Sequence, residues 1–290
     1  MLLVVGALAL QVSCWVMLTG FASLATGEIA RANQAMLNPW TLGAVNTGAL
    51  ALVLALGLRV SGEPPVRFFS IRSFIPALLP AVLLTSLSLA VVMQKSDALI
   101  VELLQRLPGV GPIPSDPLKL AAYPAGGFLL LVVIAPFTEE YLFRRMILRG
   151  LLARHRPLAA IGISALLFGL MHANIPQLIL GLVIGAVFGW WYARTCSVGP
   201  GLIGHAAFNG VAWSGTVLSD VMAAPGVGSY EHPAARLSWS LTAGCLALAG
   251  LGLWRFKAIC DAAVPAAPPR LAESSIPPLL AAQRPDSPAS

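Results

Sequence analysis

Apolar residues dominate this chain in blocks, with short polar clusters between them. A helix that crosses a bilayer needs about 20 predominantly apolar residues. Eight blocks meet that pattern, near 3–25, 40–60, 74–94, 122–143, 158–173, 177–193, 198–217 and 238–256. They predict an all-α fold, a polytopic membrane helical bundle of about eight transmembrane helices. The fifth and sixth blocks are short and separated only by "HANIPQ", which predicts a tight helical hairpin. Between the third and fourth, "KSDALIVELLQRLPGVGPIPSD" sets charges among apolar residues at helical spacing and then breaks into Pro and Gly. That pattern predicts a short interfacial amphipathic helix followed by a loop.

Composition agrees. Of the 290 residues, 57% are hydrophobic and only 10% charged, against about 25% charged in a typical soluble domain. Mean hydropathy is +0.81. The net charge of +6 in a soluble domain would point to nucleic acid. No basic patch interleaved with aromatics accompanies it, so nucleic acid is excluded as a partner. The charge instead reports topology. With the chain started inside and eight spans counted, thirteen of the eighteen basic residues fall on the cytoplasmic side. This bias is the one the positive-inside rule requires, and it predicts both termini in the cytoplasm.

The N-terminus "MLLVVGALAL" has no basic leader, so its apolar run reads as a retained first helix rather than a cleaved signal. Cys14, Cys196, Cys245 and Cys260 form no CxxC pair and read as small buried hydrophobes. The C-terminal stretch is rich in Pro, Ala and Ser, a composition that cannot bury a core. Three regions follow: N-terminal helices and an interfacial loop over 1–120, a core over 121–257, and a disordered cytoplasmic tail over 258–290.

Few ionisable side chains fall inside the blocks. Within "APFTEEYLFRRM", Ala135–Met146, two glutamates and an arginine follow an apolar run on what should be one helix. His172 ends the fifth block, and His205 and Asn209 sit in the seventh. Each such residue costs at least about 2.5–3.5 kcal/mol on insertion scales, so it is a functional-site hypothesis by default. Glu140 and Arg144 are four apart and share a face, where they can pair. Glu139 points roughly 100° away and is free to face another helix. His205 and Asn209 are also four apart, and Phe168 lies one turn before His172. A Glu–Arg pair at a helix end is as often a structural clamp as a functional feature. Two histidines, a free glutamate and an asparagine on three helices are harder to read as packing alone.

Three motifs then stand in order: "EEYLFR" (139–144), "FGLMH" (168–172) and "HAAFN" (205–209). They resemble EExxxR, FxxxH and HxxxN, the motifs of the CAAX-protease and bacteriocin-processing family of intramembrane proteases. The resemblance covers roughly 122–215. It implies an eight-helix core, a cavity open to the cytoplasmic side, and peptide-bond hydrolysis by a glutamate-activated water. It also implies roles: Glu139 as general base, His172 helping to hold the water, His205 and Asn209 stabilising the oxyanion, Glu140 and Arg144 supporting the site.

The chemistry is sound on its own terms. A carboxylate in an apolar pocket is a better base near neutral pH, and a well-placed donor to an oxyanion contributes about 2.7–4 kcal/mol. Ser164 and Ser214 have no adjacent base in the sequence, which argues against a serine nucleophile. Zinc stays open as a cofactor: Glu139, His172 and His205 make the His₂Glu set of open catalytic zinc sites, but HExxH is absent, and metal-independent hydrolysis is the favoured reading.

The expected function is an intramembrane endopeptidase in a multi-pass membrane setting of bacterial inner-membrane type. Its expected partners are membrane lipid and a protein or peptide with a membrane-proximal scissile bond. Two other classes compete. A non-catalytic immunity factor or scaffold would keep its effect without Glu139. A proton-coupled transporter would show broken helices and repeat symmetry.

Overall fold

The computed structural model describes residues 39–62, 64–69, 76–108, 123–172, 175–222 and 237–263. The expected first span at 3–25, the loop at 109–122 and the tail beyond 263 lie outside the described residues. Seven long helices occur among those described: α1 (Pro39–Ser61), α2 (Pro76–Gln105), α3 (Pro124–Leu152), α4 (Pro157–Leu170), α5 (Ile175–Thr195), α6 (Gly199–Met222) and α7 (Trp239–Ala263). A one-turn helix, Pro65–Phe68, follows α1. No strand is present among the described residues. The chain is all-helical and multi-pass in character: α2, α3, α5 and α7 are each long and apolar enough to cross a membrane. The α4 helix is apolar over 14 residues.

Three helices run further than the apolar blocks. The interfacial segment expected after 94 is instead the continuation of α2 to Gln105. Nothing from Lys95 to Gln105 breaks a helix; the first Pro or Gly is Pro108. Lys95 is buried and its Nζ lies 5.0 Å over the Trp239 ring of α7. The α3 helix passes the arginines at 144–145 and ends at Leu152. Arg144, Ile147 and Leu148 are buried, so this stretch faces helices rather than an aqueous boundary. The α7 helix continues past 257 because Cys260 is buried and Asp261 bonds Lys257 at 2.6 Å and Arg194 of α5. Of the cysteines described, Cys260 is buried, Cys245 half-buried and Cys196 exposed. Cys196 turns outward at the α5–α6 connection with φ of 52°.

Lipid tails are as apolar as Leu, so helices in a membrane associate through close packing rather than the hydrophobic effect. The α4–α5 hairpin does this with small residues. Ala165 and Gly169 face Gly181 and Gly185, each pair one turn apart. A Cβ on Gly185 would lie 2.9 Å from Ala165 Cα, and one on Gly181 would lie 3.0 Å from Gly169 Cα. This contact holds Phe168 in place, with its ring against Gly181 and Gly185. On the other side, Trp191 of α5 stacks on Phe188 and on Phe256 of α7, at 5.2 and 5.4 Å between centroids. Together α3, α5 and α6 enclose the charged residues, with α4 closing one flank.

Candidate active site

Glu139 and Glu140 do not sit at the end of their helix. They lie near the middle of α3, whose 29 residues span roughly 43 Å at 1.5 Å per residue. Two wide, π-type turns flank them, Leu129–Ile134 before and Tyr141–Leu148 after. Such turns occur frequently at functional sites.

Glu140 is fully buried. Arg144 Nε lies 3.1 Å from its Oε2, one turn on, which is the pair expected from the spacing. The guanidinium is itself buried, and its two terminal nitrogens have no hydrogen-bond acceptor among the described residues. They rest on aromatic faces instead, 4.7 Å over Phe168 and 5.6 Å over Phe188. A buried charge is tolerated when paired, and the rings add cation–π attraction.

Glu140 has a second partner that the spacing did not reveal. His205 Nδ1 of α6 lies 3.0 Å from its Oε1. An ionised carboxylate only accepts, so Nδ1 carries the proton and donates it here. Space for this contact comes from Gly201, one turn before His205 on the same face of α6. A Cβ on Gly201 would collide with Glu140 Oε2. Sequence reasoning passed over Gly201; its signal was the four-residue step to His205 and Asn209.

Glu139 faces away from the Arg144 pair, as its helical offset predicted. It is half-buried, and its Oε2 lies 3.8 Å from His205 Nε2. One imidazole thus stands between the two glutamates. A separation of 3.8 Å is beyond a direct hydrogen bond, but a water about 2.8 Å from each atom would touch both.

His172 sits just past the end of α4. Its Nδ1 lies 3.0 Å from the Phe168 carbonyl, which only accepts, so this imidazole also keeps its proton on Nδ1. The Phe168 ring lies edge-on between the two histidines, 5.2 Å from His172 and 5.9 Å from His205. Asn209 is turned another way: its Nδ2 donates to the Leu131 carbonyl of α3 at 2.8 Å. Ser164 donates to the Phe143 carbonyl and Ser214 to that of Val211. Neither hydroxyl is directed at an imidazole.

The donor set does not fit a metal. Among the described residues no three His, Cys, Asp or Glu side chains converge as a metal would need, Glu139, His172 and His205 included.

Residues 121–211 match the family model described as Type II CAAX prenyl endopeptidase Rce1-like. That part of the chain is similar to the Rce1-like family. The match takes in all three motifs and every residue of the cluster. A protein of Bacillus subtilis (strain 168) named "Putative membrane peptidase YdiL" is 31% identical over 77 residues, which is 27% of this chain and 32% of that protein. The alignment thus spans about a third of the relative's length. No solved structure matches the chain. The Rce1-like segment begins at the foot of α3 and ends in α6, so the charged cluster and the Rce1-like match occupy the same helices.

Proposed function

We propose that this protein is an intramembrane endopeptidase that hydrolyses a peptide bond with a water activated by Glu139. The observation that carries the reading is the placement of His205 between two carboxylates of one helix, inside the Rce1-like segment.

Hydrolysis needs a base for the water, stabilisation of the oxyanion, and a proton for the leaving amine. Glu139 is the less buried of the two glutamates and is outside the Arg144 pair, so it is the one that takes the water proton. Neutral His205, held through Nδ1 by Glu140, offers Nε2 as an acceptor to the same water. His172 offers its own Nε2 likewise. The water oxygen attacks the carbonyl carbon and the carbonyl pair moves to oxygen. The proton taken by Glu139 passes to Nε2 of His205, which as imidazolium donates to that oxyanion; in this form the two carboxylates face two cations and the cluster is neutral. The C–N bond then breaks, and the amine leaves with the proton taken from the water. Glu140 and Arg144 act behind this, orienting and compensating charge. The resemblance gives Asn209 an oxyanion role as well, but its amide donates to the Leu131 carbonyl at 2.8 Å, and the oxyanion role is assigned to His205 alone.

The cavity is proposed to open on the cytoplasmic side, where most basic residues gather, with both termini on that side and a bacterial inner membrane as the setting. The substrate class is a protein or peptide with a scissile bond near the membrane surface. The test is to incubate purified protein with detergent-solubilised membrane peptides in ¹⁸O-labelled water. New C-termini carrying the label are expected; a peptide pool left unchanged would overturn the reading.

A further inference from the structure

We infer that Asn209 is a positioning residue for Glu139, acting through the Leu131 carbonyl, and that Pro136 creates the need for it. The inference rests on the proposed peptidase reading for its kinetic consequence alone.

The argument begins with the backbone of α3. In an α-helix the Leu131 carbonyl would accept from the N–H of Ala135. In this wide turn the Ala135 N–H goes instead to Leu130, five residues back. The next donor for Leu131, in the same five-residue register, is residue 136. That residue is proline, which has no N–H. The Leu131 carbonyl therefore has no backbone donor, and a polar group without a partner at membrane depth costs several kcal/mol. Asn209 Nδ2 supplies the missing donor at 2.8 Å from α6.

This bond does more than satisfy a carbonyl. The chain of α3 from Leu131 to Glu139 runs opposite to α6 from His205 to Asn209. The two helices are pinned at two levels, by Leu131 with Asn209 and by the glutamates with His205. A wide turn changes the phase of every residue after it, and Glu139 follows Leu131 by two turns. Asn209 fixes the wide turn to the helix that carries His205, and so fixes the 3.8 Å separation of Glu139 from His205 Nε2. With alanine at 136, the backbone has an N–H of its own and the side-chain donor becomes dispensable.

The test compares four full-length proteins, wild type, Asn209→Ala, Pro136→Ala and the double variant, on a peptide from the pool that wild type cleaves. Asn209→Ala is expected to lower kcat by about 10–100-fold with KM within about threefold, while in the Pro136→Ala background the same change costs less than about threefold. Hydrogen exchange of the segment 129–141 is read in parallel: faster in Asn209→Ala, restored in the double variant. An equal kcat loss in both backgrounds, or exchange unaltered by Asn209→Ala, overturns the inference. Should Asn209→Ala fail to fold, Asn209→Ser, too short to reach Leu131, takes its place. The exchange arm reads the brace even if no peptide is cleaved, which separates its failure from that of the peptidase reading.

Discussion

His205 Nδ1 lies 3.0 Å from Glu140 Oε1, and that contact gives Glu140 two partners on two helices. Arg144 holds its other oxygen at 3.1 Å. Glu140 is therefore both the counter-ion of a buried guanidinium and the group that sets the tautomer of His205. Glu140→Gln should fail on both counts. Leaving Arg144 buried without its carboxylate is expected to cost about 3–5 kcal/mol of stability. Thermal unfolding in detergent measures this, and an unchanged midpoint would contradict it. Glu140→Gln combined with Arg144→Met should recover much of the midpoint while cleavage stays lost.

Gly201 supplies the notch in which the Glu140 carboxylate sits. Glu140 is pinned by Arg144 and His205 and has no room to retreat, so a methyl group at 201 must displace it. Gly201→Ala is expected to lower kcat by about tenfold or more, with KM changed much less. The same substitution at Gly210, where a Cβ meets nothing within 4 Å, serves as the control. Steady-state cleavage of one peptide by both variants checks the pair; equal activities would count against the notch.

The cluster leaves no place for a catalytic zinc among the described residues. Activity is accordingly expected to survive exhaustive treatment with a strong chelator. The measurement is cleavage before and after chelation, with metal content followed by mass spectrometry. Loss of activity restored by zinc alone would contradict the water–glutamate account.

Much of this site was legible in the sequence because side chains four residues apart on a helix must share a face. That rule separated Glu139 from the Glu140–Arg144 pair, and it set Phe168 beneath His172. It could not show which helix Glu140 would also meet, since the contact with His205 is 65 residues away in the chain. The apolar block near 122–143 stops just before the arginines 144–145, because charged side chains usually lie outside a span. Arg144 is instead buried against Phe168 and Phe188, and α3 carries on to Leu152. Asn209 was grouped with the chemical residues from its spacing to His205. Its partner is a backbone carbonyl released by a wide turn and a proline, and a pattern of side chains carries no record of that.

The central claim is that Glu139, the glutamate outside the arginine pair, activates the water. The direct measurement is cleavage of one peptide by wild type and Glu139→Gln, both purified and both checked by thermal unfolding. Glu139→Gln is expected to unfold within a few degrees of wild type, because the residue is half-buried and the close partner of Arg144 is Glu140. Its kcat is expected to fall by at least about a thousandfold. A folded Glu139→Gln protein that cleaves within tenfold of wild type would contradict the account.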